Sequence, residues 1–165
     1  MADNPLMIIK ADDQAQHAFR FRHPLGCGNS EVIMTLLGRP AGLKRVGVNL
    51  GRVPPGKEGF VYHRHNAEEE WVYILDGEGV CDIDDKKTNV GKGDFIAFPA
   101  GVAHNILNTG ASDLVYIMGG EQVSVEVADF PRHDKRMVRA GERSELVDAA
   151  DCDAFYPDVE PIKRA

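Results

Sequence analysis

Three histidines and one glutamate are spaced so that they could assemble a metal site. His63 and His65 are separated by one residue in the strand-like run FVYHRH, so both imidazoles face the same side of a strand. Glu70 follows across the short turn NAEE and would lie beside the histidine pair in a hairpin. His104 comes later, after a turn rich in proline and glycine, and could approach from another strand. The four residues together offer N, N, O and N donors to one ion.

This donor set limits the metal and the chemistry. Three imidazoles and one carboxylate suit Fe(II), Mn(II), Ni(II), Zn(II) or Cu(II), and we expect one divalent ion per chain without choosing among these metals. Such an ion could polarise a substrate oxygen, activate dioxygen or stabilise an enolate during isomerisation. The residue types leave all three reactions open.

Composition and charge narrow the class of partner. Hydrophobic residues make up 43% of the chain and charged residues 27%, which is typical of a folded globular protein. The formal net charge of −7 would repel phosphate backbones and anionic lipid surfaces. We therefore expect no nucleic acid partner and no membrane partner, and favour a small-molecule ligand or substrate.

The termini and cysteines favour a cytoplasmic protein. The opening run MADNPLMIIKADD lacks a basic segment followed by a long apolar stretch, and no run approaches the roughly 20 apolar residues of a membrane span. Cys27, Cys81 and Cys152 are odd in number and widely scattered, which is typical of free thiols in a reducing compartment. Cys81 lies in a strand-like run, where we expect a buried, inert thiol.

The rest of the pattern predicts an all-β protein. About nine short apolar runs are separated by turns rich in glycine and proline, and none reads as an amphipathic helix. This spacing predicts an antiparallel sandwich or barrel. The expected strands are EVIMTLL, RVGVNL, FVYHRH, EWVYIL, VCDID, KTNV, FIAFP, HNILN and LVYIMGG, with VSVEV as an edge strand.

We expect three segments along the chain. Residues 1–30 form an N-terminal arm with one short strand at 18–22, residues 31–128 form the barrel domain, and residues 129–165 form a C-terminal extension. The arm could cap the barrel or embrace a partner subunit. The last fifteen or so residues read as a solvated tail, although Phe155, Tyr156 and Val159 could pack back onto the barrel.

Two stretches resemble the two signature motifs of the cupin superfamily. The first stretch matches at His63, His65, Glu70 and Gly77, and its leading glycine is Gly56, one residue earlier than usual. The second stretch matches at Gly93, Pro99, Gly101, His104 and Asn108. The resemblance implies a small, single-domain bacterial cupin, an antiparallel double-stranded β-helix (jelly-roll) barrel with N- and C-terminal extensions. It does not imply one reaction, because this fold hosts many unrelated chemistries.

The pocket candidates are apolar, and we assign no catalytic residue. Alternation from Glu70 places Val72 and Ile74 on the inward face of the same strand. The candidate lining residues are Val72, Ile74, Phe95, Phe98 and Ile106, each of which could equally be ordinary core. An apolar pocket beside a metal favours a dioxygenase-like enzyme acting on a small organic substrate.

Two other functions remain open beside the dioxygenase-like enzyme, and the sequence also predicts how the chain assembles. A metal-dependent sugar or sugar-phosphate isomerase or epimerase would need basic residues at the barrel mouth, where Arg45, Arg52 and Lys57 could serve but are better placed on a solvated surface. A non-catalytic metal-dependent binding or sensor protein would use the same ligands without turnover. The second face of the EWVYIL strand, formed by Trp71, Tyr73 and Leu75, is also apolar, which predicts a strand buried on both sides and a homodimer.

Overall fold

The computed structural model describes residues 7–152 of the chain, and the regular structure of this part consists of β-strands and short 3-10 helices. The strands are β1 (Ala18–Phe21), β2 (Val32–Leu36), β3 (Val46–Val53), β4 (Arg64–His65), β5 (Glu70–Asp76), β6 (Glu78–Ile83), β7 (Lys86–Gly91), β8 (Phe95–Phe98), β9 (His104–Asn108), β10 (Leu114–Glu121), β11 (Val125–Phe130), β12 (Lys135–Ala140) and β13 (Arg143–Asp148). The 3-10 helices are Ala11–His17, Pro24–Gly26, Pro131–His133 and Ala149–Asp151. In residues 7–152, no helix has the length and apolar character that crossing a membrane requires.

The strands form two facing walls of an antiparallel barrel. One wall is a six-stranded sheet in the order β1-β2-β3-β10-β5-β8. The other consists of a four-stranded sheet, β13-β12-β11-β4, and a three-stranded sheet, β7-β6-β9, which an isolated bridge between His63 and His104 connects. Side chains of both walls share one hydrophobic core, so the walls pack face to face. The double-stranded β-helix predicted from the sequence is confirmed.

Alternation along the strands of the large sheet builds the core. Val72 and Ile74 on β5 are 6% and 0% exposed, and Leu114 and Tyr116 on the neighbouring β10 are 0% and 2% exposed. Residues two apart in a strand face the same side, so each of these strands contributes an apolar row to the barrel interior. The inward orientation expected for Val72 and Ile74 is correct.

Two motif residues have structural roles. Gly77 has a φ of +85°, and a Cβ atom there would lie 2.7 Å from the carbonyl oxygen of Asp113, so the turn after β5 requires glycine. The fully buried Asn108 amide donates hydrogen bonds to the carbonyl oxygens of Val53 and Ser112. Asn108 is therefore a hydrogen-bonding residue of the barrel wall and joins the end of β3 to the loop before β10.

The strand pattern differs from the prediction at three places. The run FVYHRH is a regular strand only at Arg64–His65, because His63 exchanges both of its backbone hydrogen bonds with His104 in an isolated bridge. The prediction that the run VSVEV forms an edge strand is wrong, because β11, which includes the end of this run, lies between β12 and β4 and is paired on both sides. The basic run after Pro131 folds into the hairpin of β12 and β13, so the expected number of strands was too small. The boundaries of arm, barrel and extension stay a prediction, and Phe155, Tyr156 and Val159 lie outside the described residues.

The outer face of β5 is more exposed than expected. Tyr73 and Leu75 are 41% and 40% exposed, and the Trp71 ring is partly covered by stacking against Phe95, with ring centroids 6.1 Å apart. Residues 7–152 of one chain thus do not bury β5 on both sides, and its burial by a second copy stays a prediction.

Candidate metal centre

The four predicted ligands converge inside the barrel. The Nε2 atoms of His63, His65 and His104 lie 4.0, 3.3 and 3.4 Å from Oε2 of Glu70. Potential ligand atoms of His63, Glu70 and His104 all lie within 4.8 Å of one another. The structure thus brings the imidazoles of His63, His65 and His104 around one carboxylate oxygen of Glu70. The hairpin expected between the runs FVYHRH and EWVYIL is wrong, because β4 pairs with β11 whereas β5 pairs with β10 and β8. Glu70 therefore meets the histidines from a different sheet.

Backbone pairing explains how distant residues meet. The His63 amide donates to the His104 carbonyl at 3.1 Å, and the His104 amide donates to the His63 carbonyl at 2.7 Å. The two imidazole centroids are consequently 4.7 Å apart. The amide of Gly101 also donates to the carbonyl of His65 at 2.6 Å, so the bend before β9 is attached to β4, the strand that contains His65.

Backbone carbonyl groups orient two of the imidazoles. Nδ1 of His63 lies 2.8 Å from the carbonyl oxygen of Val61, and Nδ1 of His104 lies 3.1 Å from that of Val102. A carbonyl oxygen accepts only, so each Nδ1 carries the proton and each Nε2 is left with a free lone pair. Both lone pairs are available on the side where Glu70 lies, which is the state in which a neutral histidine binds a metal.

His65 has different partners behind it. Its Nδ1 atom lies 3.6 Å from Oε1 of Glu126 and 3.7 Å from Oε2 of Glu68, and it makes no hydrogen bond within the described residues. The Glu126 side chain is fully buried and accepts backbone N–H groups of the turn after His65, from Asn66 at 2.8 Å and from Glu68 at 3.1 Å. Glu126 therefore fixes the turn that joins His65 to Glu70.

The ionisation of the cluster follows from burial and mutual contact. Burial, with the charges of His104 and His65, lowers the pKa of His63 to about 3. Burial raises the pKa of Glu70, but contacts with His104 and His65 outweigh burial and hold the pKa far below its usual range. Burial by itself would lower the pKa of His65, but the neighbouring carboxylates of Glu70, Glu126 and Glu68 outweigh burial and raise the pKa. The cluster thus pairs an ionised carboxylate with a neutral His63.

This arrangement fits a divalent cation. At metal–ligand bonds of about 2.1 Å, ligand atoms of one ion lie about 3.0 to 3.4 Å apart, close to the 3.3 and 3.4 Å at Glu70. Glu68 pairs with Arg139, whereas Glu70 and Glu126 pair with no lysine or arginine of residues 7–152. The partly buried Glu70 carboxylate and the fully buried Glu126 carboxylate thus lack a permanently charged partner among the described residues, and a divalent ion would compensate their charge.

A mostly apolar cavity of about 260 Å³ opens onto the cluster. Its apolar lining comes from both walls of the barrel and from the N-terminal arm. The apolar lining residues are Phe21, Gly59, Phe60, Trp71, Val72, Phe98, Ile106, Tyr116, Met118, Ala128, Phe130 and Met137. Its polar lining consists of His23, His63, His65, Glu70, His104 and Asn105. No lysine or arginine of the described chain lines it. A volume of this size suits a small ligand.

Three of the five predicted pocket residues line the cavity, namely Val72, Phe98 and Ile106. Ile74 does not line it, because it lies further along β5 as a fully buried core residue. Phe95 does not line it either, because it points to the opposite face of the sheet and is 63% exposed. The alternation of FIAFP permits either Phe95 or Phe98 to face inward, but not both.

The basic residues considered for a phosphate group lie elsewhere. Arg52 pairs with Asp113 at 3.5 Å, and Lys57 donates to the carbonyl oxygen of Gly28 at 2.7 Å. Arg45 is exposed and does not line the cavity. Their expected surface role agrees with the structure.

Several lining residues were not found from the sequence. His23 and Phe21 reach the cavity from the arm, and Phe130 and Met137 reach it from β11 and β12. Alternation along β10 from Leu114 would have placed Tyr116 on the face of the strand that points into the barrel. No comparable signal was available for His23, because its position depends on the pairing of β1 with β2.

Comparison with known proteins agrees with this geometry. A family model described as a cupin domain matches residues 49–120. A crystal structure from Acidithiobacillus ferrooxidans, which carries the provisional name of a sugar phosphate isomerase, is 32% identical with a TM-score of 0.82, covering 90% of this chain and 96% of its own. An oxalate-binding protein from Thermotoga maritima is 38% identical over 66 residues, which are 40% of this chain and 54% of that protein.

An acireductone dioxygenase from Tuber melanosporum is 39% identical over 61 residues, which are 33% of this chain and 35% of that protein. The chain thus spans about half, or less, of the length of the curated relatives that it matches. The fold and the site together define a class of protein, namely antiparallel β-helix barrels that carry a cluster of histidine and glutamate side chains at an interior cavity. The chain belongs to the cupin superfamily, as its two motifs indicated.

Proposed function

We propose that this cupin is a metal-dependent enzyme of the dioxygenase-like class that acts on a small, largely apolar organic substrate inside the barrel. His63, His65, Glu70 and His104 hold the metal in this proposal. The observation that carries it is the apolar cavity of about 260 Å³, whose polar groups are concentrated at these four residues. A bound divalent metal supplies Lewis acidity and, if it is redox-active, reactivity towards dioxygen.

The chain's own residues would bind the substrate and exclude water. Phe98 stacks on the His104 imidazole with centroids 3.7 Å apart and planes within 5°, and it forms part of the cavity wall. On the other side, the Phe130 ring lies 6.0 Å from His63 and within 25° of its plane. These rings offer an aromatic surface beside the ligands, where an apolar substrate body gains free energy by leaving water.

A sugar-phosphate isomerase is the second candidate, because the Acidithiobacillus ferrooxidans relative with that provisional name aligns over 96% of its own chain. Against it stands the lining of the cavity. A phosphate group normally contacts lysine, arginine or a set of backbone amides, and no lysine or arginine in residues 7–152 lines the cavity. The lining therefore favours the dioxygenase-like proposal.

Oxygen consumption distinguishes these proposals. Protein purified without oxygen and loaded with Fe(II) is given catechols, thiols and diketones in an oxygen electrode, and in parallel phosphorylated sugars are assayed by NMR. Substrate-dependent oxygen uptake that His104→Ala abolishes would support the proposal. Isomerised sugar phosphate without oxygen uptake would favour the second candidate. A raised melting temperature without any product would favour a binding protein instead.

We also propose that the protein is a homodimer through the outer face of the large sheet. Phe95, Tyr73 and Leu75 are 63%, 41% and 40% exposed, and Tyr73 lies directly opposite Phe95 on neighbouring strands. These residues form a contiguous exposed apolar patch, of a kind that often marks a protein interface. A second copy would cover the patch.

A further inference from the structure

Tyr116 occupies a slot in the cavity wall that two glycines create. It lies on β10, it is 2% exposed, and its side chain lines the cavity beside the proposed ligands. A Cβ atom on Gly51, its partner on β3, would overlap the ring carbons. A Cβ atom on Gly59 would lie 2.6 Å from the Tyr116 hydroxyl oxygen. The slot therefore accommodates the hydroxyl as well as the ring.

The hydroxyl of Tyr116 has no partner within the described chain. No group of residues 7–152 hydrogen-bonds to it. The hydroxyl oxygen is nevertheless not sealed off from solvent, unlike the unpaired atoms Nδ1 of His65 and Oδ1 of Asp82. Because the rest of the residue is buried and the side chain lines the cavity, the hydroxyl keeps its contact with the cavity space. A buried tyrosine normally finds a hydrogen-bond partner, so this hydroxyl is available to a molecule that occupies the cavity.

The hydroxyl can donate to such a ligand at any physiological pH. Burial, with the nearby charge of Glu70, raises the pKa of Tyr116 well above its usual range. The phenol therefore keeps its proton. Because no lysine or arginine of residues 7–152 lines the cavity, this neutral donor suits an uncharged oxygen acceptor, such as a carbonyl or hydroxyl oxygen, better than a phosphate group.

We propose that the Tyr116 hydroxyl donates a hydrogen bond to an oxygen atom of the ligand in the cavity and so selects small aromatic or apolar molecules that carry such an oxygen. The inference rests on the proposed function, because it assumes that the ligand lies beside the metal. Tyr116 is a specificity-determining residue in this account, and the metal is held without it.

A chromophoric ligand tests the proposal. The full chain is loaded with Zn(II), and 4-nitrocatechol is titrated while the shift of its visible absorption band is followed. One hydrogen bond contributes about 0.5 to 1.5 kcal/mol, so Tyr116→Phe should raise the Kd about 2- to 13-fold with unchanged zinc content. Tyr73→Phe, on the outer face, is the matched control and should leave the Kd unchanged.

A double-mutant cycle separates the hydroxyl from packing. Gly59→Ala pushes a methyl group against the hydroxyl and should weaken binding, but much less so when Tyr116→Phe has already removed the hydroxyl. Equal Kd values for wild type and Tyr116→Phe would overturn the proposal. Zinc-loaded wild-type protein that does not bind 4-nitrocatechol would overturn the ligand class and the proposal with it. Wild-type protein that takes up no zinc would contradict the proposed function itself, and the inference would fall with it.

Discussion

The Phe98 ring stacks on the His104 imidazole, with centroids 3.7 Å apart and planes within 5°. Phe98 lies opposite Glu70 in the pairing of β5 with β8, so one aromatic side chain is positioned against two proposed ligands. Because His104 has a backbone hydrogen bond at Nδ1 and this ring on its face, its Nε2 atom is held towards the cluster. Orientation of ligands before the metal arrives lowers the free-energy cost of binding it.

Phe98→Leu should weaken metal binding while the barrel remains folded. Leucine keeps most of the buried apolar volume but cannot stack on the imidazole, so we expect about a tenfold loss of zinc affinity, as for other residues that orient ligands. Competition with a chromophoric chelator measures this affinity. The control is Phe95→Leu on the same strand, which faces solvent. Equal losses in both variants would contradict the role given to the stacking.

Glu126→Gln should destabilise the turn that carries His65 and Glu70. One carboxylate oxygen becomes an N–H₂ group facing backbone N–H donors, so we expect a loss of about 1 to 3 kcal/mol in the free energy of unfolding. Zinc affinity should fall about 10- to 100-fold with it. Urea unfolding and chelator competition measure the two effects.

Glu69→Gln is the matched control for Glu126, because Glu69 lies in the same turn but is exposed. It should leave both quantities within experimental error. If Glu126→Gln behaved like this control, the buried carboxylate would have no role in positioning His65.

Much of the fold and of the cluster could be predicted from the sequence. The HxH spacing and the proline and glycine bend before His104 are local features, and each fixes a local geometry. The short turn to Glu70 was also recognisable, but it joins two sheets rather than two strands of a hairpin, which a local pattern does not reveal. The hairpin of β12 and β13 was missed because its charged residues do not alternate regularly with apolar ones and the burial of Met137 is only partial. The hairpin is attached by the pairing of β12 with β11 and by contacts between residues far apart in the sequence, such as the ion pair of Arg139 with Glu68.

The pocket was less predictable than the cluster. Periodicity shows that Phe95 and Phe98 cannot face the same side, but it does not show which of them faces inward. That choice depends on the register with β5, where Phe98 lies opposite Glu70. The contribution of His23 depends on a strand pairing between the arm and the barrel that no local pattern specifies.

Asp129 should make stability depend on pH on the acidic side. The Asp129 carboxylate lies 3.1 Å from Arg64 and 2.7 Å from Arg136. Burial raises the pKa of Asp129, but the hydrogen bonds from Arg136, Arg64 and Asn66 outweigh burial, so the pKa is lowered from its usual value of 3.8. Because the folded-state pKa is the lower one, this contribution is present above the unfolded-state pKa and is lost as the pH falls through the folded-state pKa.

Asp129→Asn should therefore lower the free energy of unfolding by about 1 to 3 kcal/mol at pH 7, and the difference from wild type should shrink as the pH falls below the unfolded-state pKa of the carboxyl group. Urea unfolding at several pH values measures it. Asp76→Asn, which changes an exposed pair with Lys92, is the control and should have little effect. A difference from wild type that persists undiminished in acid would rule out the ion pairs as its cause.

Tyr73→Asp should shift the protein from dimer to monomer. A charge placed among the exposed apolar side chains of the large sheet would have to be desolvated on association. Sedimentation velocity should show about half the wild-type mass. Leu146→Asp, at a similarly exposed position on β13, should leave the mass unchanged. A wild-type protein that already sediments as a monomer would remove the dimer proposal.

The metal content of the purified chain tests the central claim most directly. Elemental analysis of protein prepared without oxygen should find about one divalent transition metal per chain, and His63→Ala or His104→Ala should lose most of it. Cys81→Ala changes a buried thiol outside the cluster and should retain the metal. Wild-type protein that is metal-free and resists reconstitution, or equal metal retention in all three variants, would contradict the account.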